Sequence, residues 1–205
     1  AEAPVIVVKE LETKKYIGGA AIVAAHIKAL GGSCKFISVI GEDEESKFIK
    51  DSLERLGIEY KTIVDPTRPT TFKNRYMVER QKMFRVSRLK DHSLDKVTED
   101  QIISELKMSA KDIDAILVSD FVYGVITPKI LKEIKRLSKE NKLKIFGDLQ
   151  CSSQLGNITK FTDFDLITPT EREARIGLSN KDDSLEKISN LSLTKTGSKN
   201  LIMKL

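Results

Sequence analysis

Four turns of this sequence carry residues whose types and positions suit ligand chemistry. The first turn holds Gly18 and Gly19, directly before a run of small apolar residues. Paired glycines let a backbone approach a ligand closely, and the amino end of a following helix favours anions or hydroxyl oxygens. A tight turn into a closely packed helix would need the same two residues. Both interpretations of the glycine pair therefore stay open.

Acidic residues close two apolar runs further along the chain. Asp120 directly follows the run 115–119, and Asp148 ends the run 144–148. In a parallel sheet, ligands bind beyond the carboxyl ends of the strands, where these carboxylates would lie. Asp120 is placed to accept a hydroxyl group of a sugar. A turn aspartate that caps the following segment is the alternative.

The fourth turn reads Thr-Pro-Thr-Glu-Arg-Glu and ends at Glu173. Thr170 has the type and position of a helix N-cap, and Glu173 stands three residues later, as in a capping box. That structural role requires no ligand and is the favoured interpretation. A carboxylate that helps to hold Mg²⁺ through water molecules is the second possibility for Glu173.

Two cations share one face of a predicted hairpin. Lys73 and Arg75 lie two positions apart in an alternating run, so their side chains point to the same side of a strand. A pair of cations above a pocket suits a phosphorylated substrate. An ordinary solvated face would show the same pattern, and the sequence does not decide between the two.

The elements that must position these turns alternate between short β-branched runs and helical patterns, which predicts a parallel α/β sheet covered by helices. The run 70–88 reads instead as a hairpin. Helices are predicted at 19–30, 44–56, 99–108, 128–140, 171–177 and 184–191. Strands are predicted at 4–9, 35–40, 58–64, 70–78, 82–88, 115–119, 144–148, 165–168 and 200–205.

Composition narrows the class of protein. The 205 residues suit one domain covering 1–205, with 40% hydrophobic and 32% charged residues and a net charge of +5. No apolar run is long enough for a bilayer, and no sustained basic run supports a nucleic-acid partner. Cys34 and Cys151 follow no metal-ligand spacing, and the first ten residues lack the order of a signal peptide. We therefore expect a cytoplasmic protein with reduced thiols and no membrane partner.

The motifs, taken in order, resemble those of the ribokinase-like carbohydrate kinases, and most of all the heptose-phosphate kinases that make lipopolysaccharide precursors. Matching stretches span nearly the whole chain. Each is weak alone, and their order is specific for the fold more than for the sugar. They are residues 3–9, Gly18-Gly19-Ala20-Ala21, 39–43, 69–75, 80–85, Ser119-Asp120, and Thr168-Pro169 with Glu173.

The resemblance implies a three-layer α/β fold with helices on both faces of the sheet and a small β lid near 4–9 and 70–88. It implies ATP-dependent, Mg²⁺-dependent phosphorylation of a sugar hydroxyl and a homodimer formed through the lid. By position, it assigns the substrate to Gly18, Gly19, Lys73, Arg75 and Asp120. It assigns the nucleotide side to Asp148, Thr170 and Glu173, with Glu173 also serving the metal.

The sequence departs from the family pattern at four ligand turns. Ile22 replaces the usual Asn, Tyr123 replaces Lys, Gln150 replaces Lys, and Thr170 replaces Asn. The family's Gly-Ala-Gly-Asp segment, which carries the catalytic aspartate, is expected beyond Leu205, so the fold should be incomplete at its C-terminal part and this chain alone inactive. Three hypotheses stay open: a heptose-phosphate kinase, a kinase for a different sugar, and a catalytically lost binding or scaffold protein.

Overall fold

The computed structural model describes residues 8–151 and 155–205, which form six helices, one short 3₁₀ helix and seven strands. The helices are α1 (Ala20–Ala29), α2 (Glu44–Arg55), α3 (Lys96–Ser109), α4 (Pro128–Asn141), α5 (Glu171–Leu178) and α6 (Leu185–Thr196). The strands are β1 (Lys35–Ile40), β2 (Glu59–Val64), β3 (Phe72–Val78), β4 (Gln81–Arg88), β5 (Ala115–Asp120), β6 (Lys144–Leu149) and β7 (Leu166–Ile167).

Side-chain caps fix the start of five of these helices. Asp43, Asp95, Thr127, Thr170 and Ser184 each accept a hydrogen bond from a backbone N–H in the first turn. A cap of this kind satisfies one of the donors that a helix start leaves unpaired, and its loss costs about 1 kcal/mol. Thr127 caps α4, and Pro128 takes the first turn, where its missing N–H costs nothing.

The described strands form two parallel sheets and one antiparallel hairpin. β1 pairs with β2 in parallel, and β5, β6 and β7 form a three-stranded parallel sheet in that order. β3 and β4 pair antiparallel, with a register shift between Tyr76 and Met77. The parallel α/β class that the sequence predicts is therefore confirmed, as is the hairpin.

Helices cover both faces of the β1–β2 pair. Phe36 belongs to a cluster with residues of α1 and α2, whereas its neighbour Ile37 packs against the main core that includes Ile102 and Leu106 of α3. Successive strand residues point to opposite faces, so α1 and α2 lie on one side and α3 on the other. The main core continues from α3 into β5, β6 and α4, and joins the two parallel sheets in one apolar cluster.

The carboxyl ends of the two parallel sheets lie at a common edge. Asp65 directly follows β2 and donates its backbone N–H to the carbonyl oxygen of Ile40 at the end of β1. Arg68, three residues later, donates to the carbonyl oxygen of Tyr123, in the turn after β5, over 2.8 Å. The turns that the sequence singles out are thereby collected on one side of the molecule.

Two predicted strands differ from the structure. The run 4–9 lies mostly outside the described residues, and Val8 and Lys9 are not in a strand. The run 200–205 forms isolated parallel bridges, from Leu201 to Ile167 and from Lys204 to Thr170, instead of a continuous strand. Pro169 lies between those two partners and has no N–H to donate, which interrupts the ladder.

Candidate functional site

The Gly18–Gly19 turn faces the ring of Phe121. Gly19 has φ +58°, in the left-handed region that an L side chain rarely adopts, and a Cβ added there would lie 3.6 Å from the Phe121 ring. A Cβ added at Gly18 would meet nothing within 4 Å. The backbone conformation at position 19 therefore requires a glycine, whereas Gly18 leaves open space beside the turn.

Lys73 extends from the hairpin to the Phe121 ring that the glycine turn faces. Its Nζ lies 5.8 Å from the ring centroid of Phe121 and 5.2 Å from that of Tyr123. Distances of this size bring an ammonium group within range of the ring quadrupoles. Arg75 follows on the same strand with an exposed side chain, and both cations line the cleft into which the glycine turn opens.

The structure brings the five predicted substrate residues together. Gly18, Gly19, Lys73, Arg75 and Asp120 all line one cleft of about 2360 Å³ that runs between β1, β5 and the hairpin. The three predicted nucleotide residues do not line this cleft. Asp148 lies near the carboxyl end of β6, opposite Ser119 of β5, and Thr170 and Glu173 come after β7 along the same sheet edge.

Asp120 is 3% exposed, and both of its carboxylate oxygens have partners within the chain. Oδ1 accepts the backbone N–H of Val122 over 2.7 Å, and Oδ2 is ion paired with Lys160. The turn-capping interpretation of Asp120 is confirmed by the first bond. Its contact with a sugar hydroxyl stays a prediction.

Asp148 sits in a small polar network at the end of β6. Its Oδ1 accepts hydrogen bonds from Thr168 Oγ1 over 2.9 Å and from Lys204 Nζ over 2.6 Å, and its Oδ2 accepts one from Gln150 over 3.2 Å. Lys204 therefore places a cation beside the predicted nucleotide residue Asp148.

Glu173 forms the predicted capping box with Thr170. The Thr170 backbone N–H donates to Glu173 Oε2 over 2.8 Å, and the Glu173 N–H donates back to Thr170 Oγ1. The second oxygen, Oε1, accepts the backbone N–H of Cys151 over 2.8 Å. The capping interpretation is confirmed, and the buried carboxylate also ties α5 to the segment after β6.

These contacts constrain how Glu173 can serve a metal ion. Both carboxylate oxygens already accept a backbone N–H, and the described ranges contain no cluster of three or more His, Cys, Asp or Glu side chains suited to a metal ion. Direct coordination therefore fits the geometry poorly. A bond from the remaining lone pairs of Glu173 to metal-bound water fits it, because each oxygen has two acceptor sites.

Three residues of the site have no distinguishing signal in the sequence. Lys160 and Lys204 look like ordinary surface lysines, and Phe121 looks like a turn residue beside a strand. Their importance comes from contacts with Asp120, Asp148 and Gly19 that are distant along the chain. The Asp120–Lys160 pair spans 40 positions, a separation at which local pattern carries no information.

The chain belongs to a family of sugar-phosphorylating enzymes. The profile of the pfkB family carbohydrate kinases matches residues 2–205, nearly the whole chain. The resemblance stated from the motifs is thereby confirmed at the level of the family.

Among curated proteins, this chain is similar to the "Bifunctional protein HldE" of several bacteria. It is 32% identical over 174 residues to that of Campylobacter jejuni strain RM1221, covering 84% of this chain and 35% of that protein. It is 30% identical over 206 residues to that of Trichlorobacter lovleyi, covering 98% of this chain and 41% of that protein. The chain thus spans well under half the length of these relatives.

Solved structures confirm the ribokinase-like fold. Ribokinase from Giardia lamblia superposes with a TM-score of 0.70 at 15% identity, covering 95% of this chain and 67% of that one. Phosphofructokinase-2 from Escherichia coli in complex with fructose-6-phosphate superposes with a TM-score of 0.71 at 14% identity, covering 92% and 62%. In the part of this chain that the structure describes, no helix has the length and apolar character to cross a membrane.

Proposed function

We propose that this chain is the front and middle of a kinase that transfers the γ-phosphate of ATP to a hydroxyl group of a heptose phosphate. The observation that carries the proposal is the convergence of Gly18, Gly19, Lys73, Arg75 and Asp120 on one cleft. The nucleotide candidates lie next to that cleft along the same edge. Phosphoryl transfer needs this juxtaposition, because catalysis consists mainly of positioning and charge neutralisation.

On the sugar side, each residue has a distinct role. The Gly18–Gly19 turn offers backbone amides at the start of α1 to sugar oxygens. Lys73 and Arg75 pair with the phosphate that the substrate already carries, since ammonium and guanidinium groups form the strong charge-assisted bonds with phosphate. Asp120 borders the sugar site and shapes the turn that forms its floor.

On the nucleotide side, Asp148, Thr170 and Glu173 line the approach of ATP. Glu173 would hold Mg²⁺ through water, and the ion would neutralise charge on the transferred phosphoryl group. Lys204, held by Asp148, adds a cation for the ATP phosphates. The predicted site is therefore acidic where a metal is needed and basic where phosphates lie.

The general base that removes the hydroxyl proton is proposed to follow Leu205, within a Gly-Ala-Gly-Asp segment of the longer protein. The 205-residue chain by itself should then bind ligands without turning them over. Reading the native coding sequence past Leu205 tests this assignment. A Gly-Ala-Gly-Asp segment that opens a helix supports it, and a reading frame without that aspartate contradicts it.

A homodimer through the hairpin is part of the proposal. Tyr76 and Phe84 stack at a centroid distance of 4.4 Å on the outer part of the hairpin, and both are more than one third exposed. Met77, Val78 and Val86 add further exposed apolar surface. A two-stranded sheet is marginal alone, and a second copy would cover this surface. The remaining expectations, a cytoplasmic location and a role in lipopolysaccharide precursor synthesis, follow from the family resemblance.

A second candidate function is a kinase-like binding protein that has lost catalysis. It is favoured by Gln150, which stands where the family has a lysine and donates to Asp148 instead of presenting a charge. Coupled measurement of ADP release from the longer gene product separates the two. ADP release that depends on a heptose phosphate supports the kinase. ADP release with another sugar alone identifies a kinase of different specificity. Tight ATP binding without ADP release supports the binding protein.

A further inference from the structure

We infer that residues 120–124 form a pre-set aromatic platform on which the ring of a sugar phosphate stacks, with Phe121 as the stacking surface and Lys160 as the residue that holds the platform in place. The inference deepens the proposed function, because it names the surface that recognises the sugar ring. It adds Phe121 and Lys160 to a site whose other members the sequence already suggests.

The platform is held in an unfavourable backbone conformation. Val122 has φ +62°, in the left-handed region. That conformation is unfavourable for an L residue, and it is especially rare for a β-branched side chain. Strain of this kind persists where surrounding contacts enforce it, and such positions cluster at ligand sites.

Two contacts enforce the conformation. The carboxylate of Asp120 accepts the Val122 N–H over 2.7 Å, which fixes the turn, and Lys160 pairs with the other carboxylate oxygen. The Asp120 side chain is 3% exposed and that of Lys160 is 28% exposed. A buried ion pair adds little net stability, because desolvation offsets its attraction, so its presence here is better explained by positioning. Burial lowers the pKa of Lys160 to about 8, which agrees with an ammonium group held away from water.

The strained turn presents two aromatic rings to the cleft. Phe121 and Tyr123 flank Val122, and their rings are 6.4 Å apart with an interplanar angle of 26°. The Phe121 ring is half-buried against the Gly19 turn, whereas Tyr123 is buried more deeply. The remaining face of Phe121 therefore borders the cleft beside the glycine turn.

The chemistry of this surface selects its ligand. A sugar ring has an apolar C–H face that packs on an aromatic ring, while its hydroxyl groups can reach the Gly18–Gly19 amides. Lys73 stands above both rings and supplies a cation for an anionic substituent. A bare phosphate would leave the aromatic surface uncovered, whereas a phosphorylated sugar can contact both the Phe121 ring and the Lys73 ammonium group.

The absence of tryptophan from the chain provides a direct test. Phe121→Trp introduces a single tryptophan on the platform, and Tyr60→Trp introduces one on β2, outside the residues that line the cleft. Each variant is titrated with a heptose phosphate, with the free heptose and with inorganic phosphate. We expect a saturable emission change in Phe121→Trp with the heptose phosphate, at a Kd at least tenfold below those of the other two probes, and no change in Tyr60→Trp.

The role of Lys160 is tested in the Phe121→Trp background. Lys160→Met should raise the Kd of the heptose phosphate at least tenfold at a temperature where circular dichroism shows the variant folded, and Lys160→Arg should restore most of the affinity. A purely structural lysine would lower the melting temperature and leave the Kd of the folded protein unchanged. Equal affinity in Lys160→Met and the parent would overturn the positioning role.

Other results would contradict the aromatic platform itself. An unresponsive Phe121→Trp variant that binds the heptose phosphate by calorimetry would overturn the inference, as would failure of the parent protein to bind it. If Phe121→Trp does not fold, calorimetry on Phe121→Leu replaces it, with a tenfold loss of affinity expected and an unchanged Kd contradicting the platform. ADP release is measured separately, on the protein translated from the complete reading frame. Binding without turnover by that longer protein would contradict the kinase proposal and leave the platform. Turnover that is unchanged when Phe121 is replaced would contradict the platform and leave the kinase proposal.

Discussion

Arg68 donates a hydrogen bond from Nη1 to the carbonyl oxygen of Tyr123, 55 positions later in the chain, over 2.8 Å. Its Nη2 donates to the carbonyl oxygen of His92, and its Nε to Asp65. The buried guanidinium thus joins the loop after β2 to the turn that carries the aromatic platform. Arg68 therefore supports the turn of the candidate sugar site, in addition to the contacts of Asp120.

Arg68→Met should lower the free energy of unfolding by about 3–5 kcal/mol, because it leaves the buried carboxylate of Asp65 without its cation. Urea denaturation measures the change. Arg136→Met is the matched control, since Arg136 forms surface pairs with Glu133 and Glu140 on α4 and its loss should change the free energy of unfolding little. Equal losses in the two variants would contradict the bridging role of Arg68.

Asp65 gives the same bridge a pH dependence. Burial acts to raise the pKa of Asp65, but hydrogen bonds from Thr67 and Arg68 outweigh it and hold the pKa below the ordinary value. A carboxyl group with a lowered folded pKa contributes stability that is present above its unfolded pKa and lost as the pH falls through its folded pKa. Asp65→Asn should therefore flatten the acid limb of the stability curve below about pH 4. An unchanged acid limb would argue against the ionised bridge.

Much of the fold could be predicted from the sequence because its determinants are local. The capping box of Thr170 and Glu173 and the cap at Thr127 lie within three residues of their partners. The Asp120–Lys160 pair, the Arg68 bridge and the contact of Gly19 with Phe121 could not be predicted. Each joins segments whose approach depends on the whole tertiary structure. The interrupted pairing at Pro169 was missed for the same reason, since an apolar run does not reveal its neighbour.

The two glycines of the sugar-side turn should respond differently to alanine. Gly19→Ala forces a residue with a Cβ into a left-handed conformation, which costs about 1–2 kcal/mol, although the Cβ itself would lie at an ordinary contact distance of 3.6 Å from the Phe121 ring. Gly18→Ala meets open space and should change the free energy of unfolding by less than about 1 kcal/mol. Thermal unfolding of both variants measures the difference. Equal destabilisation would show that the turn is not held as described.

Variants of Glu173 and Thr170 distinguish the helix-capping role from the proposed role in ligand binding. Thr170→Ala removes the cap hydroxyl and should cost about 1 kcal/mol while leaving the Glu173 carboxylate in place. Glu173→Gln should weaken Mg²⁺-dependent ATP binding, measured by calorimetry, because the charge that orients metal-bound water is lost. Thr170→Ala removes no charge and should weaken that binding less than Glu173→Gln does. An equal change of ATP affinity in the two variants, or no change in either, would leave Glu173 with its capping role alone.

The central claim is tested most directly by sugar-dependent ADP release from the protein translated from the complete reading frame that contains these 205 residues. We predict release that requires both Mg²⁺ and a heptose phosphate, and that falls at least tenfold in kcat/KM in Lys73→Ala. ATP that binds without any release across phosphorylated and free sugars would contradict the account and leave a kinase fold that serves binding alone.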